Sequence, residues 1–186
     1  MPGQARQWLR VNGPTVIKLG GSFAFSPRLR DWIGAIASRA GGIVIVPGGG
    51  LFADAVRTAQ PTMGFDDRAA HRMGLLAMEQ YGCAIASLDE RLMPAQTLEL
   101  IRQGLDDGKV PVWLPAQMVL GDAGIPQSWD VTSDSLAAWL ADKIGAERLL
   151  LVKHVDAKEK MVRATDLAAR NVELGNDSLQ GAVVLR

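Results

Sequence analysis

The sequence predicts an α/β fold in which helices cover both faces of a mainly parallel sheet. Three observations carry that expectation. Apolar runs of five or six residues alternate with longer stretches of helical periodicity along most of the 186 residues. The runs are apolar at successive positions, as in GIVIVP (42–47), so neither face is left wet, which is how parallel strands read when helices bury them. Capping residues and glycines stand at the junctions between the two patterns.

The first strand is TVIKL (15–19). A helix follows over PRLRDWIGAIASRA (27–40), with Ser26 as its cap, Pro27 at its first position, and Leu29, Trp32, Ile33 and Ile36 on one face. GIVIVP is the second strand, and a glycine run leads from it into a short helix, LFADAVRTA (51–59). DDRAAHRMGLLAMEQYG (66–82) reads as a long helix closed by Gly82 as a left-handed cap. CAIASL (83–88) is the third strand, AQTLELIRQGLDD (95–107) a helix, and VPVWLP (110–115) a fourth strand placed at the periphery by its two prolines. SDSLAAWLADKIG (133–145) is a helix with Thr132 as cap, RLLLVK (148–153) the fifth strand, TDLAARNV (165–172) a short helix and GAVVLR (181–186) a last apolar run. PTMGFDD (61–67) and GDAGIPQSWD (121–130) are the expected long loops.

Hydrophobic residues make up 48% of the chain and charged residues 22%, which suits one domain, 1–186, with a real core. Twenty basic residues balance twenty acidic ones, so no global charge invites nucleic acid or an anionic membrane. One cysteine, Cys83, excludes an intrachain disulfide and is expected as a small core residue. The first dozen residues lack the apolar core of a signal peptide, and no apolar stretch reaches the roughly 18 residues of a spanning helix. The expectation is a cytoplasmic protein.

Parallel sheets of this kind bind ligands beyond the carboxyl ends of their strands, so the strand ends hold the candidate site. Lys18-Leu-Gly-Gly-Ser22 puts a cation and two glycines at the first end. Glycines admit a ligand to the backbone, and a lysine supplies a mobile positive charge for a transferring phosphoryl group. Alone, the stretch reads equally as a plain turn with a solvated lysine. Pro47-Gly-Gly-Gly50 sets three glycines at a helix start, an anion nest where a simple turn rarely needs three. Asp130-Val-Thr-Ser-Asp-Ser135 places Asp134 at about the second helical position, where it either serves the helix terminus or orients a lysine. Asp130 is the carboxylate set to face a substrate amine or hydroxyl. Leu149-Leu-Leu-Val-Lys153 ends a strand in a second lysine. No histidine–cysteine cluster has metal-ligand spacing, and neither a Walker loop nor a G-x-S-x-G elbow is present. The chemistry left is phosphoryl transfer by positioning and charge neutralisation.

In that order, Lys18-Leu-Gly-Gly-Ser22, Val46-Pro-Gly-Gly-Gly50, Ser133-Asp-Ser-Leu-Ala-Ala138 and LLLVKHVDA (149–157) resemble the motifs of the amino-acid kinase superfamily. The resemblance implies a three-layer αβα sandwich around a mainly parallel sheet, and a phosphotransferase using ATP and Mg2+. By motif, Lys18 would balance charge on the transferring group, Gly20, Gly21 and Ser22 would hold ATP phosphates, Gly48, Gly49 and Gly50 would face the acceptor, and Asp134 would orient lysines. Lys153 is the candidate second lysine, in competition with Lys158 and Lys160.

AHRMGLLAMEQYG (70–82) resembles a helix of the small aminomethylfuran phosphate kinases, which make a diphosphate in methanofuran-type cofactor biosynthesis. That implies the acceptor 5-(aminomethyl)furan-3-methyl phosphate, with His71 near it or at the edge of the core. The partners implied are a small phosphorylated substrate and a homo-oligomer or biosynthetic complex, with no nucleic acid and no membrane. The departures are the usual D-V-D-G, here His154-Val-Asp-Ala157, and the lack of a downstream glycine pair with a methionine and lysine. The nucleotide-binding part is therefore read as shortened, with adenine binding incomplete or supplied by another subunit. Those departures motivate the first of two other readings. One is a weakened kinase-like protein that binds a phosphorylated ligand or serves in an assembly. The other is a carboxylate or nucleoside monophosphate kinase of the same fold.

Overall fold

The computed structural model describes residues 13–152, 161–162 and 182–185. Seven strands form one sheet: β1 (Thr15–Leu19), β2 (Ile43–Pro47), β3 (Leu92–Ala95), β4 (Val110–Trp113), β5 (Arg148–Val152), β6 (Met161–Val162) and β7 (Ala182–Leu185). Their order across the sheet is β3-β4-β2-β1-β5-β7-β6. All neighbours are parallel except β6 and β7. The helices are α1 (Leu29–Ala37), α2 (Gly50–Met63), α3 (Asp67–Ala86), α4 (Leu98–Asp106), α5 (Ala116–Leu120) and α6 (Ser133–Lys143). The α/β sandwich expected from the sequence is the fold found.

The period of two along the strands divides the core into two layers. Val16, Val44, Val46, Leu149 and Leu151 face α6, with Leu136, Ala137 and Leu140 packed on them. Ile17, Leu19, Ile43, Ile45 and Val152 face the other way, against Ile33 and Ile36 of α1 and Phe23 of the turn before it. Lys18 is two residues past Val16, so its side chain leaves the sheet on the α6 side. Trp113 and Trp139 stack at 5.8 Å between ring centres in that layer, and Trp113 is fully buried.

Several elements differ from the sequence reading, each for a physical reason. α1 starts at Leu29, because Gly21–Phe25 forms a 3-10 turn that Ser26 closes; the Ser26 hydroxyl still accepts from Arg28 N at 3.3 Å, just before the assigned helix. α2 runs to Met63 rather than ending near 59. Pro61 sits in its last turn, and Gly64, at φ 73°, takes the left-handed cap, so 61–67 is no long loop.

α3 does not stop at Gly82 but continues to Ala86. There, a Cβ on Gly82 would meet Leu114 Cδ2 at 2.8 Å and Pro47 Cγ at 3.2 Å. The missing side chain thus serves close helix–sheet packing, not a turn. CAIASL is consequently helix end rather than strand, and Cys83 is exposed rather than in the core. The third strand lies later, at Leu92–Ala95, and occupies the sheet edge; β4 is interior, between β3 and β2. β4 holds one of the two prolines, Pro111, and its ladder with β2 has the single register pair Ile45↔Val112. The expected helix at 165–172 lies outside the described residues. Among the described residues, no helix is long and apolar enough to cross a membrane.

Candidate active site

The carboxyl ends of β1 and β2 are adjacent, with Leu19 in register with Pro47, and their glycine loops touch backbone to backbone. A Cβ on Gly48 would sit 2.6 Å from the Gly21 nitrogen, and one on Gly21 would overlap the backbone of Gly50. Gly50 itself has φ 54° at the start of α2. This contact needs glycine on both sides.

The amides of the two loops divide into two kinds. Gly20 donates its N–H to the Val152 carbonyl at 3.2 Å, and Gly48 donates to Leu19 at 2.9 Å. These two glycines hold the loops to the sheet and have no amide left for a ligand. Gly21 and Ser22 begin the 3-10 turn, and Gly49 and Gly50 begin α2. Amides at helix starts have no partner within their own helix, and such positions favour anions. The side chain of Phe23 is buried, edge-on to Trp32 at 6.4 Å, and pins the first loop from below.

Lys18 is 7% exposed, and its Nζ lies 2.8 Å from Asp134 Oδ1. The carboxylate is delivered by the first turn of α6. Thr132 caps that helix: its hydroxyl accepts from Ser135 N at 3.2 Å, while Ser135 Oγ accepts from Thr132 N at 2.9 Å. Asp134, two residues into the helix, is thereby fixed where the helix dipole also favours a negative charge. Thr132→Ala is expected to cost about 1 kcal/mol of stability, seen as a lower urea midpoint with unchanged slope.

A cavity of about 120 Å3 opens beside the second glycine loop, the volume of about four waters at liquid density. Gly49 at the α2 N-cap, Ala53 and Arg57 of α2, His71 and Gly74 of α3, Ser128 and Trp129 of the connecting loop, and Thr132 and Ser133 at the α6 start are among its lining. The Arg57 guanidinium lies 4.8 Å from the Trp129 ring centre and bonds Asp54 at 2.9 Å. Trp129 Nε1 donates to Gln60 Oε1 at 2.7 Å. The 121–130 segment is the long loop expected, and here it folds back as a cavity wall.

His71 Nδ1 is 3.2 Å from the Ser128 carbonyl, and Nε2 is buried with no hydrogen-bond partner. Burial lowers the His71 pKa below its usual value, and the Ser128 hydrogen bond opposes that only in part. The sign for stability follows. The folded state resists protonation more than the unfolded chain, so this contribution is complete above about pH 6.5 and is lost as pH falls from there toward the folded value. The melting temperature is expected to drop over that acid range, and the drop to be smaller in His71→Phe.

The structure thus brings Lys18, Asp134, Gly20, Gly21, Ser22, Gly48, Gly49 and Gly50 to one rim, with His71 in the adjoining cavity. Asp130 is exposed, hydrogen-bonded by Ser128 Oγ at 3.3 Å, and does not line the cavity. Lys153 lies outside the described residues. Arg57 and Trp129 were not singled out from the sequence. The available signals were Arg57 at helical spacing from Gly50 and Ala53, and a lone tryptophan in an otherwise polar loop. Among the described residues, no three His, Cys, Asp or Glu side chains gather as a metal site.

A parallel αβα sheet with two touching glycine loops and a lysine–aspartate pair at its rim has the form of a phosphoryl-transfer fold. Residues 13–157 match the model of the amino acid kinase family, and the chain belongs to that family. It is 25% identical over 143 residues to a [5-(aminomethyl)furan-3-yl]methyl phosphate kinase of Methanocaldococcus jannaschii, covering 76% of this chain and 66% of that protein. Among solved structures, uridylate kinase from Archaeoglobus fulgidus superposes with a TM-score of 0.62 at 21% identity, over 79% of this chain and 66% of that one. UMP kinase from Ureaplasma parvum gives 0.61 at 15%, over 94% of this chain and 100% of that one. Carbamate kinase from Giardia lamblia bound to AMP-PNP gives 0.55 at 12%, over 86% and 81%. The chain therefore spans just under two thirds of the Methanocaldococcus and Archaeoglobus proteins. These relatives and structural neighbours are kinases.

Proposed function

We propose that this chain is an ATP-dependent small-molecule kinase whose acceptor is itself a phosphate ester, of the class of [5-(aminomethyl)furan-3-yl]methyl phosphate. The single observation that carries the kinase reading is the Lys18–Asp134 pair at 2.8 Å at the junction of two glycine loops. An oxygen of the acceptor phosphate forms the new bond to the γ-phosphorus. The bond from that phosphorus to the bridging β-oxygen breaks, and ADP leaves. Charge accumulates on the transferring group, and Lys18 is held where it can neutralise it without reorganisation. Amides of Gly21 and Ser22 suit the donor phosphates, and those of Gly49 and Gly50 suit the acceptor phosphate.

Magnesium would enter with the nucleotide and would need at most one or two protein carboxylates; Asp134 would be the carboxylate at the rim to hold it, and the ion would supply further neutralisation of phosphate charge. The acceptor class is supported by the named relative and by the polar and cationic lining of the cavity beside the acceptor loop, Arg57, Ser128, Thr132 and Ser133 among it.

The test incubates the pure protein with magnesium–ATP and the furan phosphate, and follows ADP together with the diphosphate by 31P NMR. Formation of both supports the proposal. ADP with a carboxylate or nucleoside monophosphate acceptor instead would move the substrate within the family. Ligand-dependent thermal stabilisation with no ADP would favour the weakened, ligand-binding reading that the departure at Ala157 motivates.

A further inference from the structure

His71 is 5% exposed and lines the cavity beside the acceptor loop. Its hydrogen bonding fixes its polarity. The Ser128 carbonyl can only accept, so at 3.2 Å the proton of a neutral ring resides on Nδ1. Nε2 then carries a lone pair and is an acceptor. It is also the ring atom left buried without a partner. A buried acceptor with nothing to accept is costly, and a ligand that offers a donor removes that cost. The charged residue lining the cavity is Arg57. It suits the anionic part of a ligand and cannot accept a hydrogen bond. The cavity lining thus includes a fixed cation, Arg57, and a residue, His71, whose buried acceptor is unsatisfied.

We propose that His71 Nε2 accepts a hydrogen bond from an N–H or O–H group of the acceptor substrate, so that the cavity selects phosphate esters bearing an amine or hydroxyl away from the phosphate. This rests on the kinase reading for the identity of the cavity as the acceptor site, and it assigns the donor-reading role to His71 rather than to the exposed Asp130.

The experiment measures binding without ATP, so it does not depend on turnover. Three probes are compared by calorimetry: [5-(aminomethyl)furan-3-yl]methyl phosphate, its 5-hydroxymethyl analogue and its 5-methyl analogue. The wild-type protein is expected to bind the first two about 10–100-fold more tightly than the third, the range of one well-made hydrogen bond in a desolvated site. In His71→Phe the three affinities are expected to converge to within about threefold, with the methyl analogue bound as before. The chain has only two histidines, so imidazole 15N spectra give a second readout that needs no change at position 71. With His154 replaced by glutamine, the unprotonated nitrogen should move on adding the amine and stay still with the methyl analogue. Equal wild-type affinity for all three, no binding of any at millimolar concentration, or an unchanged preference in His71→Phe would overturn the proposal. Preference without ADP formation would instead overturn the kinase reading and leave this one standing.

Discussion

Lys18→Met is expected to lower turnover by about 10²–10³-fold, the range seen when one preorganised charge-stabilising group is removed from an active site. Methionine keeps the stem that packs on the α6 side of β1, so the loss is of charge and not of volume. KM for ATP should move far less than kcat, because charge builds on the transferring group mainly at the transition state. Asp134→Asn tests the same pair from the other side. It keeps the shape of the helix start, and Thr132 and Ser135 still cap α6, yet it releases the lysine from its 2.8 Å contact. A smaller fall in kcat is expected than for Lys18→Met, since the cation remains but is no longer aimed. A Lys18→Met protein that turns over near the wild-type rate would remove Lys18 from the chemistry.

Gly21→Ala is expected to lower both stability and turnover. A Cβ there overlaps the backbone of Gly50, and backbone cannot swing aside as a long side chain can. The two loops must part, which costs about 1–3 kcal/mol on the scale of overpacked cores. Parting them also displaces the amides of Gly21, Ser22, Gly49 and Gly50 from their shared focus. A misplacement of about 1 Å can cost on the order of 10²-fold in rate. Gly34→Ala is the control: a Cβ there meets nothing within 4 Å, and alanine is the better helix former. A Gly21→Ala protein with unchanged melting temperature and rate would mean that the loop contact is not tight.

What could be read from the sequence was whatever a local pattern controls. Lys18 and Asp134 each occupy a fixed offset from a regular element, one near the exit of a strand and one just inside a capped helix. Their meeting then follows from strand alternation, which sends Lys18 to the α6 side. The glycine loops were legible because only close backbone approach explains so many glycines together. Gly82 misled for the same reason in reverse: its missing side chain accommodates Leu114 and Pro47 across the sheet, a demand that no neighbour in sequence reveals. With the helix ended too early, CAIASL became a strand, as a short apolar run permits. The true edge strand, Leu92–Ala95, was hidden by Pro94. The cavity of Arg57, His71 and Trp129 joins three segments far apart in the chain, and no spacing rule brings them together.

The start of α6 has two neighbours at once. Ser133 borders the cavity, and the next residue, Asp134, holds the lysine at the phosphate rim. His71 lines the same cavity, fixed in a helix of 20 residues that is built into the sheet packing at its other end. In the proposed acceptor site, the span from His71 to the charge pair is thus set by two helices, and the molecule would behave as a ruler. An acceptor one methylene too long or too short would seat its head group and leave its phosphate out of line, becoming an inhibitor instead of a poor substrate.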